Sequence, residues 1–161
     1  MPAQSLVKAT NQIIVFGEFK KVEMKVGANA TAAKMIPGTL VIRDTNDNQV
    51  KEAGAKAHGI FGVIDVDPTH GMSDNYALGE NIPILVPLNG SFLMIRIAAN
   101  ENVTQGDTMV SAADGLIAAH AVGAMGSQGD IVGQVWETWN VAAIEHVLVK
   151  WLYTPELKAA A

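Results

Sequence analysis

The chain has 161 residues, 49% of them hydrophobic and only 17% charged, with a formal net charge of -5 and no cysteine. That length suits one domain able to bury its own core, and the composition is the reverse of a disordered chain's. The missing cysteines exclude a disulfide framework, a Cys-ligated zinc and a thiol nucleophile, so the fold must rest on packing and backbone pairing.

Residues 1–12 (MPAQSLVKATNQ) show no strong pattern and read as an extended arm. They lack the charged start and apolar core of a signal peptide. No apolar run reaches the roughly eighteen residues of a membrane span, so no membrane partner is expected. Ile13 to Phe19 is a predicted strand. Lys21 to Val26 alternates, with Val22, Met24 and Val26 on one face and Lys21, Glu23 and Lys25 on the other. The basic cluster Lys20, Lys21 and Lys25 is interrupted by Glu18 and Glu23 and reads as a solvated strand face. With only two arginines, Arg43 and Arg96, the chain has no basic patch that would predict a nucleic-acid partner.

Pro37-Gly38 is a turn pair before a strand at Thr39 to Arg43, and Asp44 to Gln49 is a polar turn. The one predicted helix covers Gln49 to Ala57, weakened by Gly54. Ile60 to Val66 is another strand. The stretch IPILVPLNGSFLMIRIA reads as a β-hairpin with a type I′ turn at Asn89-Gly90. Pro83 and Pro87 in its first arm call for an open edge or a bulge. Its second arm, Phe92 to Ala98, reads as buried, with Arg96 its one charge. Gly106-Asp107 and Asp114-Gly115 are turn pairs around the strand TMVS, and a Gly- and Ala-rich loop spans residues 121–128. Ile131 to Trp139 and Glu145 to Tyr153 are the closing strands. The pattern predicts an all-β (mainly β) fold: a small β-barrel with an extended N-terminal arm. The expected division is 1–26 for the arm and first strands, 27–153 for the barrel domain and 154–161 for a flexible tail.

Groups that could carry chemistry are scattered. His58, His70, His120 and His146 lie far apart. Asp65, Asp67 and His70 in DVDPTHG could hold a metal, or could simply cap a turn after a strand. No serine lies in a nucleophile elbow, and Gly123-Ala124-Met125-Gly126 lacks the lysine and hydroxyl of a phosphate loop. The sequence therefore predicts no catalytic, cofactor or metal site and no enzyme activity. Trp136 and Trp139 differ by an odd number, so a regular strand would turn one inward and the other toward a partner.

Several of these turns occur in an order with a known counterpart. PGTLV (Pro37 to Val41), GIFGVID (Gly59 to Asp65), GENIPILVPLNGSF (Gly79 to Phe92), VTQGDTMVSAADGLI (Val103 to Ile117) and GDIVGQVWE (Gly129 to Glu137) together resemble the tailed-virus capsid decoration, or head-stabilising, proteins. That family has a β-tulip or lambda-type fold and includes a group mislabelled as a RecA/RadA-type phage recombinase. The resemblance covers Pro37 to Tyr153. It implies a structural virion protein on the capsid exterior, made in the host cytoplasm. It also implies a homotrimer whose partner is a major capsid protein of HK97 fold, and a head stabilised after expansion. In such proteins an N-terminal arm often adds a strand to a capsid sheet. Ile13, Ile14, Val15 and Phe16 could supply that strand or could be an ordinary barrel strand, and Trp136 and Trp139 are the further interface candidates. A biotinyl- or lipoyl-like β carrier is the alternative. VTQGDTMV looks like the turn of such domains, although no lysine lies near the Asn89-Gly90 tip.

Overall fold

Three dipeptides organise the molecule: Leu40-Val41, Val63-Ile64 and Ile84-Leu85, all six side chains fully buried. Successive strand residues point to opposite faces, so strands buried at two neighbouring positions must be covered on both sides. In the computed structural model, which describes residues 11–120, 129–140 and 142–155, the cover on one side is the interior of a barrel. On the other side it is a second sheet.

The strands are β1 (Ile14–Phe16), β2 (Phe19–Val26), β3 (Leu40–Arg43), β4 (Gln49–Glu52), β5 (Gly62–Ile64), β6 (Asn81–Pro87), β7 (Phe92–Ile97), β8 (Asn102–Val103), β9 (Thr108–Ser111), β10 (Ile117–Ala119), β11 (Ile131–Val135), β12 (Trp139–Asn140) and β13 (Glu145–Thr154). Among the described residues helix is confined to short 3-10 turns at Ala32–Lys34 and Ala113–Gly115, so the chain is all β as the sequence predicts.

Strands β2, β4, β3, β5 and β6 close into a barrel, β6 pairing back onto β2 from Phe19 opposite Pro87 to Lys25 opposite Asn81. Its interior holds Met24, Val26, Met35, Val41, Val50, Ile64, Tyr76, Ile82 and Ile84. The second unit runs β1-β7-β10-β9-β11-β13, and β13 pairs again with β7 over Glu145 to Lys150. Strands β7, β10, β9, β11 and β13 therefore form a ring, and β1 lies against the first residues of β7. Leu40, Val63 and Leu85 leave the barrel's outer face to join Leu93, Ile95, Val132, Val147 and Val149 in the larger core. Closure of both units leaves few free ladder edges, which limits edge-to-edge association.

Four local expectations change. First, β6 and β7 do not form a hairpin; they belong to different units. The Ser91 N–H bonds to Leu88 O at 3.1 Å, and positive φ falls on Gly90 (96°) without Asn89. That is the type II pattern, which lacks the twist of the primed hairpin turns and sends the chain across instead. Second, the predicted helix at Gln49 to Ala57 is β4 followed by a loop. A single short Ala stretch containing Gly54 cannot nucleate a stable helix against pairing with β3. Third, the strand Ile13 to Phe19 breaks at Gly17, which has φ 109°. A Cβ there would sit 2.5 Å from Ser91 Oγ. Fourth, Trp136 lies beyond β11 and Trp139 lies on β12, so the odd spacing does not act along one regular strand. The boundary drawn at residue 26 follows β2, which is itself a barrel strand paired with β4 and β6. The loop expected at 121–128 and most of the 154–161 tail lie outside the described residues.

Candidate interaction surface at the barrel–sheet junction

The chain crosses between the two units at Gly17-Glu18 and again at Leu88 to Ser91. The crossings run side by side: Glu18 O accepts from Leu88 N (3.0 Å) and from Ser91 Oγ (2.8 Å). Strand β13 fastens them from the other side. Gly90 N donates to Trp151 O (2.8 Å), Trp151 N to Ser91 O (2.7 Å) and Tyr153 N to Asn89 Oδ1 (3.0 Å). The backbone here is fixed at nearly every step.

On this rigid support stand large apolar side chains facing water: Phe16 is 53% exposed, Phe19 41% and Leu88 51%. Beside Leu88 opens a groove of about 440 Å³ lined by Ile60, Phe61, Val86, Pro87, Trp151 and Tyr153. Exposed apolar side chains on a fixed scaffold beside an apolar groove are the usual makings of a protein-binding surface.

Tyr153 anchors the groove wall. Its hydroxyl donates a short hydrogen bond to Asp130, which is almost fully buried. Asp130 Oδ2 also accepts from Gly59 N (2.7 Å), and Oδ1 lies 3.3 Å from His58 Nδ1. Burial, reinforced by this carboxylate, pushes the Tyr153 phenol up to about 12, so it remains a neutral donor. Asp130 thus joins the 57–60 loop of the barrel side to β11 and β13 of the sheet.

The interface candidates read from the sequence divide. Ile13 is fully buried in the larger core, its carbonyl accepting from Met94 N at 2.7 Å, and Ile14 and Val15 are half-buried against the same core. Phe16 alone of the four is exposed. It meets Phe92 (6.3 Å between centroids), which meets Trp136 edge-on (5.2 Å), and Lys150 Nζ lies 5.4 Å from the Trp136 ring. Phe16 and Trp136 are therefore joined through one buried phenylalanine. Trp139 lies opposite Val103 on the two-stranded ladder and packs against the same larger core as Trp136. Phe19, Leu88 and Tyr153 join this candidate surface without a strand or motif signal of the kind that marks the others. Leu88, an apolar residue directly before an Asn-Gly turn, comes nearest to one.

The Asp65, Asp67 and His70 group closes one end of the barrel. Asp67 Oδ1 accepts from Thr69 N (2.8 Å), His70 N (2.7 Å) and His70 Nδ1 (2.9 Å). His70 Nε2 lies 3.1 Å from Glu80 Oε1, and the ring stacks on Tyr76 at 4.0 Å. Tyr76 donates to Asp65 O (2.8 Å), while Asp65 pairs with Lys21 Nζ (2.7 Å). Each acid is committed to a turn or an ion pair. Among the described residues no three His, Cys, Asp or Glu side chains are grouped as metal ligands.

Partial burial works to raise the Asp67 carboxyl, but the hydrogen bonds from His70 and Thr69 outweigh it and hold it at about 2, against 3.8 for a free aspartate. A depressed carboxyl stabilises the fold above its unfolded value, and that contribution disappears as pH falls toward the folded one. The stability gap between wild type and Asp67→Asn, measured by urea unfolding, is expected to be full at neutral pH. It should shrink between about pH 4 and pH 2; a gap constant across that range would show that the charge contributes nothing.

No protein-family model matches the sequence, and no curated protein matches it. Among solved structures the chain is similar to the head fiber gp8.5 N base of bacteriophage phi29, with 11% identity. The match covers 84% of this chain and 98% of that one, with a TM-score of 0.49. No helix among the described residues is long and apolar enough to cross a membrane.

Proposed function

We propose that this chain is a non-enzymatic structural virion protein that binds the outside of an HK97-type capsid, as a trimer, and stabilises the expanded head. The observation that carries the proposal is the junction surface: Phe16, Phe19 and Leu88 stand exposed on or next to the doubly fastened crossings, and Leu88 also lines an apolar groove. The ordered series of glycine turns from Pro37 to Glu137 supports the same reading. A shell component needs rigidity and a buried contact, and two closed β units sharing a core meet the first need. The carrier-module alternative gains no support from the Asn89-Gly90 turn, which joins two different units and presents no lysine.

Co-sedimentation with expanded, undecorated capsids tests the proposal. Stoichiometric, saturable binding is expected. Phe16→Ser combined with Leu88→Ser should weaken it by about tenfold or more, since central apolar contacts carry most interface energy. The melting temperature should fall by only a few degrees, because both side chains are already about half exposed. Absence of binding by the wild-type protein would overturn the proposal.

A further inference from the structure

Asn-Gly and Asp-Gly are the dipeptides most prone to self-modification. The glycine nitrogen attacks the preceding Cγ, expels ammonia from asparagine or water from aspartate, and leaves a cyclic succinimide. Water then opens the ring to aspartate or isoaspartate. The chain contains one of each dipeptide, Asn89-Gly90 and Asp114-Gly115. In both, the attacking nitrogen and the side chain it would attack are each engaged by partners from elsewhere in the fold. Gly90 N–H is donated to Trp151 O at 2.8 Å, and Asn89 Oδ1 accepts from Tyr153 N at 3.0 Å. Gly115 N–H is donated to Ala53 O at 2.7 Å, and Asp114 Oδ2 is paired with Lys34 Nζ at 3.1 Å.

We infer that Asn89-Gly90 is a latent deamidation site that the last residues of β13 hold shut. An amide whose proton is donated to a carbonyl is a poorer nucleophile, because attack requires loss of that proton. The bond also fixes the peptide orientation. Both restraints on this turn come from one short stretch, Trp151 to Tyr153, so releasing that stretch removes both at once. The consequence falls on the junction surface. Isoaspartate at 89 would lengthen the crossing backbone by one carbon and place a charge at the rim of the apolar groove. Reaction would therefore tend to keep the end of β13 from closing again. The inference stands on hydrogen bonds within the chain and does not depend on capsid binding.

The test is peptide mapping of the full chain after prolonged incubation in mildly alkaline buffer, folded and in urea, scoring Asn89 for conversion to aspartate and isoaspartate. Conversion in the folded protein should be slower by about tenfold or more, as expected for a reaction that needs local opening. Tyr153→Pro, which removes the donor on Asn89 Oδ1 and leaves Gly90 N–H on Trp151 O, should raise the folded-state rate severalfold while keeping it below the urea value. Equal rates at Asn89 in folded and unfolded wild type would overturn the inference, whatever the variant does. So would an unchanged rate in a Tyr153→Pro protein that keeps its β circular dichroism.

Discussion

Leu85→Ala should destabilise the protein by about 3 kcal/mol, the middle of the range for a buried leucine truncated to alanine. Leu85 is fully buried on β6, opposite Lys21 of β2 and Val63 of β5, yet its side chain belongs to the core shared with the sheet. The cavity would open between two closed units, each fixed by its own ladder, so neither can collapse to fill it. Ile84→Ala, one residue earlier, should cost a similar amount by emptying the barrel interior instead. Urea unfolding distinguishes the two. A cooperative single transition for both variants is expected if the units share one core; a second transition appearing only in Leu85→Ala would mean that the junction is weaker than its burial implies.

Gly133→Ala should be comparably damaging through the opposite error, overpacking. Gly133 lies in β11 opposite Trp151 of β13 and Met109 of β9. An added Cβ would sit 2.1 Å from Lys150 O, and the obstacle is backbone in the centre of the ring, so it cannot swing aside. A cost of about 3 kcal/mol, or loss of soluble protein, is expected. Gly54→Ala is the matched control: its Cβ would meet nothing within 4 Å and its φ is not positive. That substitution should be neutral or stabilising by up to about 1 kcal/mol through the unfolded chain. Equal effects from the two substitutions would contradict the packing described for β11.

Much of the β architecture was legible because its signals are local. The alternation from Lys21 to Val26 and the buried run from Phe92 to Ile97 are properties of single strands; the run stands, and the alternation holds at Met24 and Val26 while Val22 is exposed. The partner of a strand is not a local property. Ile82 to Leu85 and Phe92 to Ile95 flank Asn-Gly in a pattern that would suit a hairpin. The observed connection depends on Gly90 alone taking positive φ and on β13 capturing Gly90 and Ser91 through Trp151. The helix expected at Gln49 to Ala57 failed for the same reason. Val50 is claimed by the barrel interior and Ala53 by the shared core, which local propensity cannot foresee. Of the interface candidates, Phe16 shows the most exposed apolar surface, whereas Ile13 is a core residue. Their odd separation puts the two on opposite faces of a strand, but which of those faces the core covers is not a local property.

The most direct measurement of the proposed role is electron cryomicroscopy of expanded capsids saturated with the purified protein. The proposed function predicts ordered copies on the outer surface, grouped in threes, with Phe16, Phe19 and Leu88 buried against neighbouring protein. Copies bound with the barrel–sheet junction facing solvent, or capsids without added density, would contradict it.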